Sequence, residues 1–186
     1  MADLHVRMKV TLIVAAAAAA IPLNFTVHVP APSPIPHFSN STRPDGATIG
    51  LDSGGFTMNG SRLFNVAGEM HFSRVPAESW LSDLQLMKAA GLTTVSTYVF
   101  WIHHEEVHGI YEWSGQRNLT AFVLAAQSAG LMVALRCGPY GHGEVRGGGL
   151  PDWVQAIPGI SVRSNTSLFM SYAKEWYAAL RSQVSV

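Results

Sequence analysis

Residues 93–101 run Thr-Thr-Val-Ser-Thr-Tyr-Val-Phe-Trp, β-branched or aromatic at every position except Ser96. Such a run suits a strand buried on both faces. Upstream, Pro76 at a first helical position introduces ESWLSDLQLMKAA, residues 78–90, and Gly91 stops the pattern as a C′ glycine does. Downstream, residues 118–129 carry Leu119, Phe122, Val123 and Ala126 at helical spacing and end at Gly130. Leu131 to Cys137 follows at once as a strand, and Phe64 to Met70 forms another ahead of Pro76. Further upstream, Phe56-Thr-Met and Arg62-Leu-Phe flank Asn59-Gly60, the dipeptide that best tolerates the positive φ angles of a tight hairpin turn. A long loop and an amphipathic segment from Ser167 to Leu180 complete the series. Hairpin, β, α, β, α, β implies an α/β fold with a parallel sheet and helical crossovers. A closed eight-stranded βα barrel takes roughly 250 residues, so the expectation is an incomplete (β/α)8 TIM barrel, about the first three βα units preceded by a short hairpin.

Composition narrows the class of partner. The 186 residues are 48% hydrophobic and 13% charged, too apolar for a disordered tail. Lys and Arg number 12, as do Asp and Glu, so there is no broad cationic field for a phosphate backbone and nucleic acid is not an expected partner. Cys137 is the single cysteine, which excludes an internal disulfide and a multi-thiolate zinc site.

Arg7 and Lys9 precede an apolar run from Val10 to Leu23 that includes six consecutive alanines. The run is short of the roughly 20 residues that cross a bilayer, and residues 1–23 read as a signal peptide, or as a signal anchor if left uncleaved. Residues 24–50, with Pro30, Pro32, Pro34, Pro36 and Pro44, read as a linker, and 51–186 as the folded domain. Acceptor sequons start at Asn24, Asn40, Asn59, Asn118 and Asn165. Together these predict the secretory pathway: an extracellular, cell-wall, vacuolar or lysosome-like location, with membrane contact only through an uncleaved leader.

In a parallel sheet, ligands meet the carboxyl ends of the strands. Each expected strand ends in a polar cluster: Glu69, His71 and Arg74; then Tyr98, Trp101, His103, His104, Glu105 and Glu106; then Arg136, Tyr140, His142 and Glu144. Carboxylates converging with aromatics suit a sugar, because rings stack on aromatic faces while carboxylates hold hydroxyls or exchange protons. The bland reading leaves these side chains simply solvated. A metal-assisted hydrolase is the other chemical alternative, but His103 and His104 are adjacent on an expected extended chain and point to opposite sides, and no His-x-His or His-Glu-x-x-His pattern occurs. No metal or cofactor is expected. Gly147, Gly148 and Gly149 lack the strand and helix of a phosphate loop and are expected to let the loop fold closely beside a ligand.

Four blocks are similar to glycoside hydrolase family 35, the β-galactosidases. GEMHFSRVPAESW from Gly68 resembles the family's first-strand motif, and TYVFWIHHEE from Thr97 its Thr-Tyr-Val-x-Trp-Asn-x-His-Glu-Pro block. GIYEWSGQRNLTAFV from Gly109 and LRCGPYGHGEVRGGGLPDWV from Leu135 resemble the next two. The resemblance implies a retaining hydrolase that removes terminal β-D-galactosyl groups from galactosides, galactose-containing polysaccharides or glycans, using two glutamates about 5 to 5.5 Å apart. It implies that Tyr98 and Glu144 contact galactose hydroxyls, with His142 and Gly143 beside them, and that Arg74, His104 and Glu105 support the site. The motifs carrying the two catalytic glutamates have no match in this sequence. The expectation is therefore that they lie beyond Val186 and that this chain alone hydrolyses nothing; a non-catalytic galactose-binding module or degenerate homologue is the alternative. Four departures stand out: Ile102 for Asn, Glu106 for Pro, His142-Gly143 for Cys-Ala, and Val145-Arg146 for Trp-Asn.

Overall fold

The computed structural model describes residues 6–10, 23–27, 41–42 and 46–184. Residues 11–22 of the expected leader, the prolines of the expected linker and Asn40 lie outside them. The chain divides into two units, Met1–Phe64 and Asn65–Val186.

In the first unit, β1 (Val6–Val10) pairs antiparallel with β2 (Leu23–Val27). A separate antiparallel meander joins β3 (Ser41–Thr42), β4 (Thr48–Asp52), β5 (Gly55–Met58) and β6 (Ser61–Arg62) in that order. Asn59 and Gly60 turn the β5–β6 hairpin with φ of 50° and 76°, as a two-residue primed turn requires. The Asn59 side chain also accepts from the Thr48 N–H at 2.8 Å, so the turn recruits β4. Backbone pairing thus reaches into the span expected to be a linker. Composition cannot reveal it, because the bond that draws Thr48 into the sheet comes from Asn59.

The second unit holds a three-stranded parallel sheet, ordered β7 (Ala67–Glu69), β8 (Thr94–Tyr98) and β9 (Met132–Arg136). Gly68 sits opposite Val95, and Val95 opposite Val133. Two ends of the parallel strands differ from the sequence reading by more than one residue. The first strand was expected from Phe64 and begins at Ala67, because Val66 is held by Thr93: its N–H donates to Thr93 Oγ1 and its carbonyl accepts from the Thr93 N–H. The second was expected to run to Trp101 and stops at Tyr98; Trp101–His104 forms a helical turn, α2, once α1 (Trp80–Ala89) has been laid down. Consequently His103 and His104 share a helical turn and not an extended chain.

The helix exits follow one rule twice. α1 closes with Gly91 N–H to Lys88 O and Leu92 N–H to Met87 O, and α3 (Leu119–Ser128) closes with Gly130 N–H to Gln127 O and Leu131 N–H to Ala126 O. Both are Schellman caps with the glycine at positive φ, 92° and 73°. Asn118 caps the start of α3 by accepting from the Ala121 N–H at 2.8 Å. α4 (Asp152–Gln155) and α5 (Ser167–Val184) complete the unit.

The core is aromatic. Phe72, Trp80 and Phe122 meet with ring centroids 5.4 to 6.0 Å apart, joining the first βα loop to α1 and α3. α5 buries Phe169, Ala173, Trp176 and Leu180, a helical stripe, and Trp176 stacks on Trp101 at 5.7 Å. Fully burying one such ring contributes roughly 2–3 kcal/mol. Among the described residues no helix is long and apolar enough to cross a membrane.

Candidate functional site

A hollow of about 380 Å³ opens at the carboxyl end of the parallel sheet. β7 contributes Glu69, its last residue, with His71 and Arg74 from the loop that follows. β8 contributes Tyr98, again its last residue, and the loop after β9 contributes His142, Gly143 and Glu144. Parallel register brings them together: Tyr98 lies opposite Arg136, so β8 and β9 end level, while Glu69 lies opposite Ser96, so β7 ends two residues earlier and its following loop carries His71 and Arg74 to the same end.

The Tyr98 ring is held by its neighbours. The Arg136 guanidinium lies 3.8 Å from its centroid and forms an ion pair with Glu69. Phe100 stacks on it at 5.1 Å and His71 tilts against it at 5.0 Å. With the ring so packed and 8% exposed, the polar end of the phenol is what Tyr98 offers a ligand.

Three successive residues of the third loop have positive φ: His142 64°, Gly143 47° and Glu144 56°. For His142 and Glu144 this conformation costs about 1–2 kcal/mol each. The turn is closed by Val145 N–H to His142 O, and the loop by Gly141 N–H to Gly148 O and Gly148 N–H to Val145 O. Close approach explains the glycines. A Cβ on Gly143 would stand 2.6 Å from Phe100 Cζ, on Gly148 2.1 Å from Tyr140 Cε2, and on Gly149 2.8 Å from Phe100 Cδ1. Gly148 and Gly149 of the triplet thus let the loop pack closely against Tyr140 and Phe100.

His104 and Glu105 stand apart from the hollow. Each is 1% exposed. Glu105 accepts from Trp101 Nε1 at 2.6 Å and from the Gly109 N–H at 2.7 Å, and its backbone carbonyl accepts from Trp153 Nε1 at 3.0 Å. His104 stacks on Trp113 at 4.1 Å with Nδ1 3.0 Å from the Glu112 carbonyl oxygen. Burial lowers the His104 pKa to about 4, so the ring is neutral and donates from Nδ1. Both brace the loop after α2 behind the strand end. His71, at the hollow, is also shifted down by burial, and its Nδ1 is buried without a partner. Among the described residues no three His, Cys, Asp or Glu side chains group as metal ligands.

Glu69 and His71 line the hollow but stood only among the strand-end clusters in the sequence; the parallel-sheet rule was signal enough to include them. Phe100 reads as a core residue, and nothing in the sequence shows that the third loop rests on it.

Fold and hollow define a parallel α/β protein that presents carboxylates, a phenol, imidazoles and guanidinium groups at its strand ends, a set suited to a ligand dense in hydroxyls. The chain belongs to glycosyl hydrolases family 35, which matches residues 55–186. It is similar to beta-galactosidase-1-like protein 2 of Homo sapiens, 40% identical over 138 residues, which cover 73% of this chain and 22% of that protein. Beta-galactosidase of Xanthomonas manihotis is 38% identical over 137 residues, 74% of this chain and 23% of its own length. Beta-galactosidase 6 of Oryza sativa subsp. japonica is 38% identical over 123 residues, 66% of this chain and 14% of its own. The chain thus spans less than a quarter of these relatives. An exo-beta-1,4-mannosidase from Opitutaceae bacterium strain TAV5 shares the fold, with TM-score 0.50 and 18% identity over 78% of this chain and 24% of that one.

Proposed function

We propose that this chain supplies the galactose-holding wall of a retaining β-galactosidase acting on terminal β-D-galactosyl groups. The observation that carries the proposal is the meeting of Tyr98 and Glu144, from different strands, in one strand-end hollow. In this reading the phenol of Tyr98 and the carboxylate of Glu144 bind sugar hydroxyls, with His142 and Gly143 flanking them. A carboxylate that accepts two hydroxyl hydrogen bonds discriminates epimers, because moving one hydroxyl leaves an acceptor unpaired in a desolvated site. The three βα units are the opening of a (β/α)8 barrel, and the two hydrolytic glutamates face this wall from other strands of it. Residues 1–23 direct the chain to the secretory pathway, where the exposed Asn59 and Asn165 accept glycans. Calorimetric titration tests the proposal: galactose binds, glucose binds at least about tenfold more weakly, and Glu144→Gln loses about tenfold in affinity. Equal heats for the two epimers would remove it.

A further inference from the structure

We propose that Arg74 is the positioning residue for Glu144, a role that rests on the reading of Glu144 as a sugar contact. Glu144 stands at the end of three residues with positive φ, two of them not glycine, a conformation a chain leaves unless something outside it holds it. The turn's internal bond, Val145 N–H to His142 O at 3.2 Å, is long. Arg74 supplies the hold. Its Nη2 donates to the Gly143 carbonyl oxygen, the middle carbonyl of the turn, across 69 positions of sequence, and its guanidinium lies 5.7 Å from the centroid of Phe100, the ring beneath Gly143. A charge-assisted bond to that carbonyl fixes the peptide plane between Gly143 and Glu144, and with it the direction in which the Glu144 side chain leaves the backbone. Arg74 also binds the first βα loop to the third, so the hollow keeps its width.

Lysine reaches the same carbonyl with one charged donor but does not stack as a planar guanidinium, whereas methionine keeps only the apolar stem. Amide hydrogen exchange over residues 141–148, read together with galactose titration, tests the role in Arg74→Met and Arg74→Lys. Arg74→Met is expected to speed exchange in this loop about tenfold while α1 and β8 stay protected, and to weaken galactose binding about tenfold; Arg74→Lys restores most of both. Unchanged loop exchange in Arg74→Met overturns the role, and so does weaker binding with unchanged exchange, which would make Arg74 a direct sugar contact. If α1 and β8 lose protection in Arg74→Met, the variant is unfolding and Arg74→Lys decides: a folded lysine variant with a fully loosened loop contradicts the inference. Should the unmodified chain bind no galactose, the exchange result still stands or falls alone, and the proposed function is what fails.

Discussion

A methyl group at Gly143 would press on Phe100 Cζ and Tyr98 Cε2, at 2.6 and 2.9 Å, and would do so from a backbone φ of 47°. Gly143→Ala is therefore expected to destabilise the chain by about 1–3 kcal/mol and to weaken galactose binding, since the loop must lift to relieve the contact. Phe100→Leu beside it should return part of the loss, and denaturant unfolding of the single and double variants measures the coupling. Sequence alone shows Gly143 as a departure from the family's alanine; the ring that demands glycine sits on another strand's loop, where pattern reading does not reach. His104 yields a pH prediction. Its folded pKa is lowered by burial from 6.5 to about 4, so above pH 6.5 both folded and unfolded states hold it neutral. As pH falls from 6.5 toward 4 the unfolded state takes up the proton first, and the fold loses up to about 3 kcal/mol. His71 and His103 are lowered by burial as well and act in the same direction. The slope of unfolding free energy over this range should flatten in His104→Asn, measured against the unaltered chain.

Elements were legible wherever a single residue type ends them. Gly91 and Gly130 stand where a left-handed cap is required, so α1 and α3 end as the sequence predicts. The start of β7 and the end of β8 were not legible at this level. Trp101 has the β propensity of its neighbours, yet its ring stacks on Trp176 and its Nε1 donates to Glu105, and those partners turn the chain into α2. α5 was recognised by its amphipathic spacing, but not its connection to the site. Trp176 Nε1 donates to the Cys137 carbonyl at 2.7 Å, and the Tyr177 hydroxyl to the Gly138 carbonyl at 2.6 Å, so α5 anchors the start of the loop that ends at Glu144. Trp176→Phe keeps most of the apolar surface but leaves the Cys137 carbonyl without its partner, and is expected to cost about 1–3 kcal/mol. Denaturant midpoints check the cost, and faster exchange at residues 138–148 than in α3 checks its location.

At the level of the second unit, β7 and β9 are each paired on one side among the described residues, and Leu86, Val107 and Ile110 are 69%, 60% and 66% exposed. Unpaired parallel edges and apolar side chains in water favour self-association. Sedimentation velocity is expected to show a mean mass that rises with concentration, and Ile110→Lys to reduce that rise; a strictly monomeric chain at all concentrations would contradict the expectation. The family match over residues 55–186 was foreshadowed by motifs, whereas the strand ends, where the hollow lies, were singled out by the parallel-sheet rule. The most direct test is a crystal structure of the chain with galactose. The sugar is expected in the strand-end hollow, with Glu144 and the Tyr98 hydroxyl within hydrogen-bond distance of its hydroxyls. Galactose bound elsewhere, or Glu144 turned away from a sugar that occupies the hollow, would contradict the account.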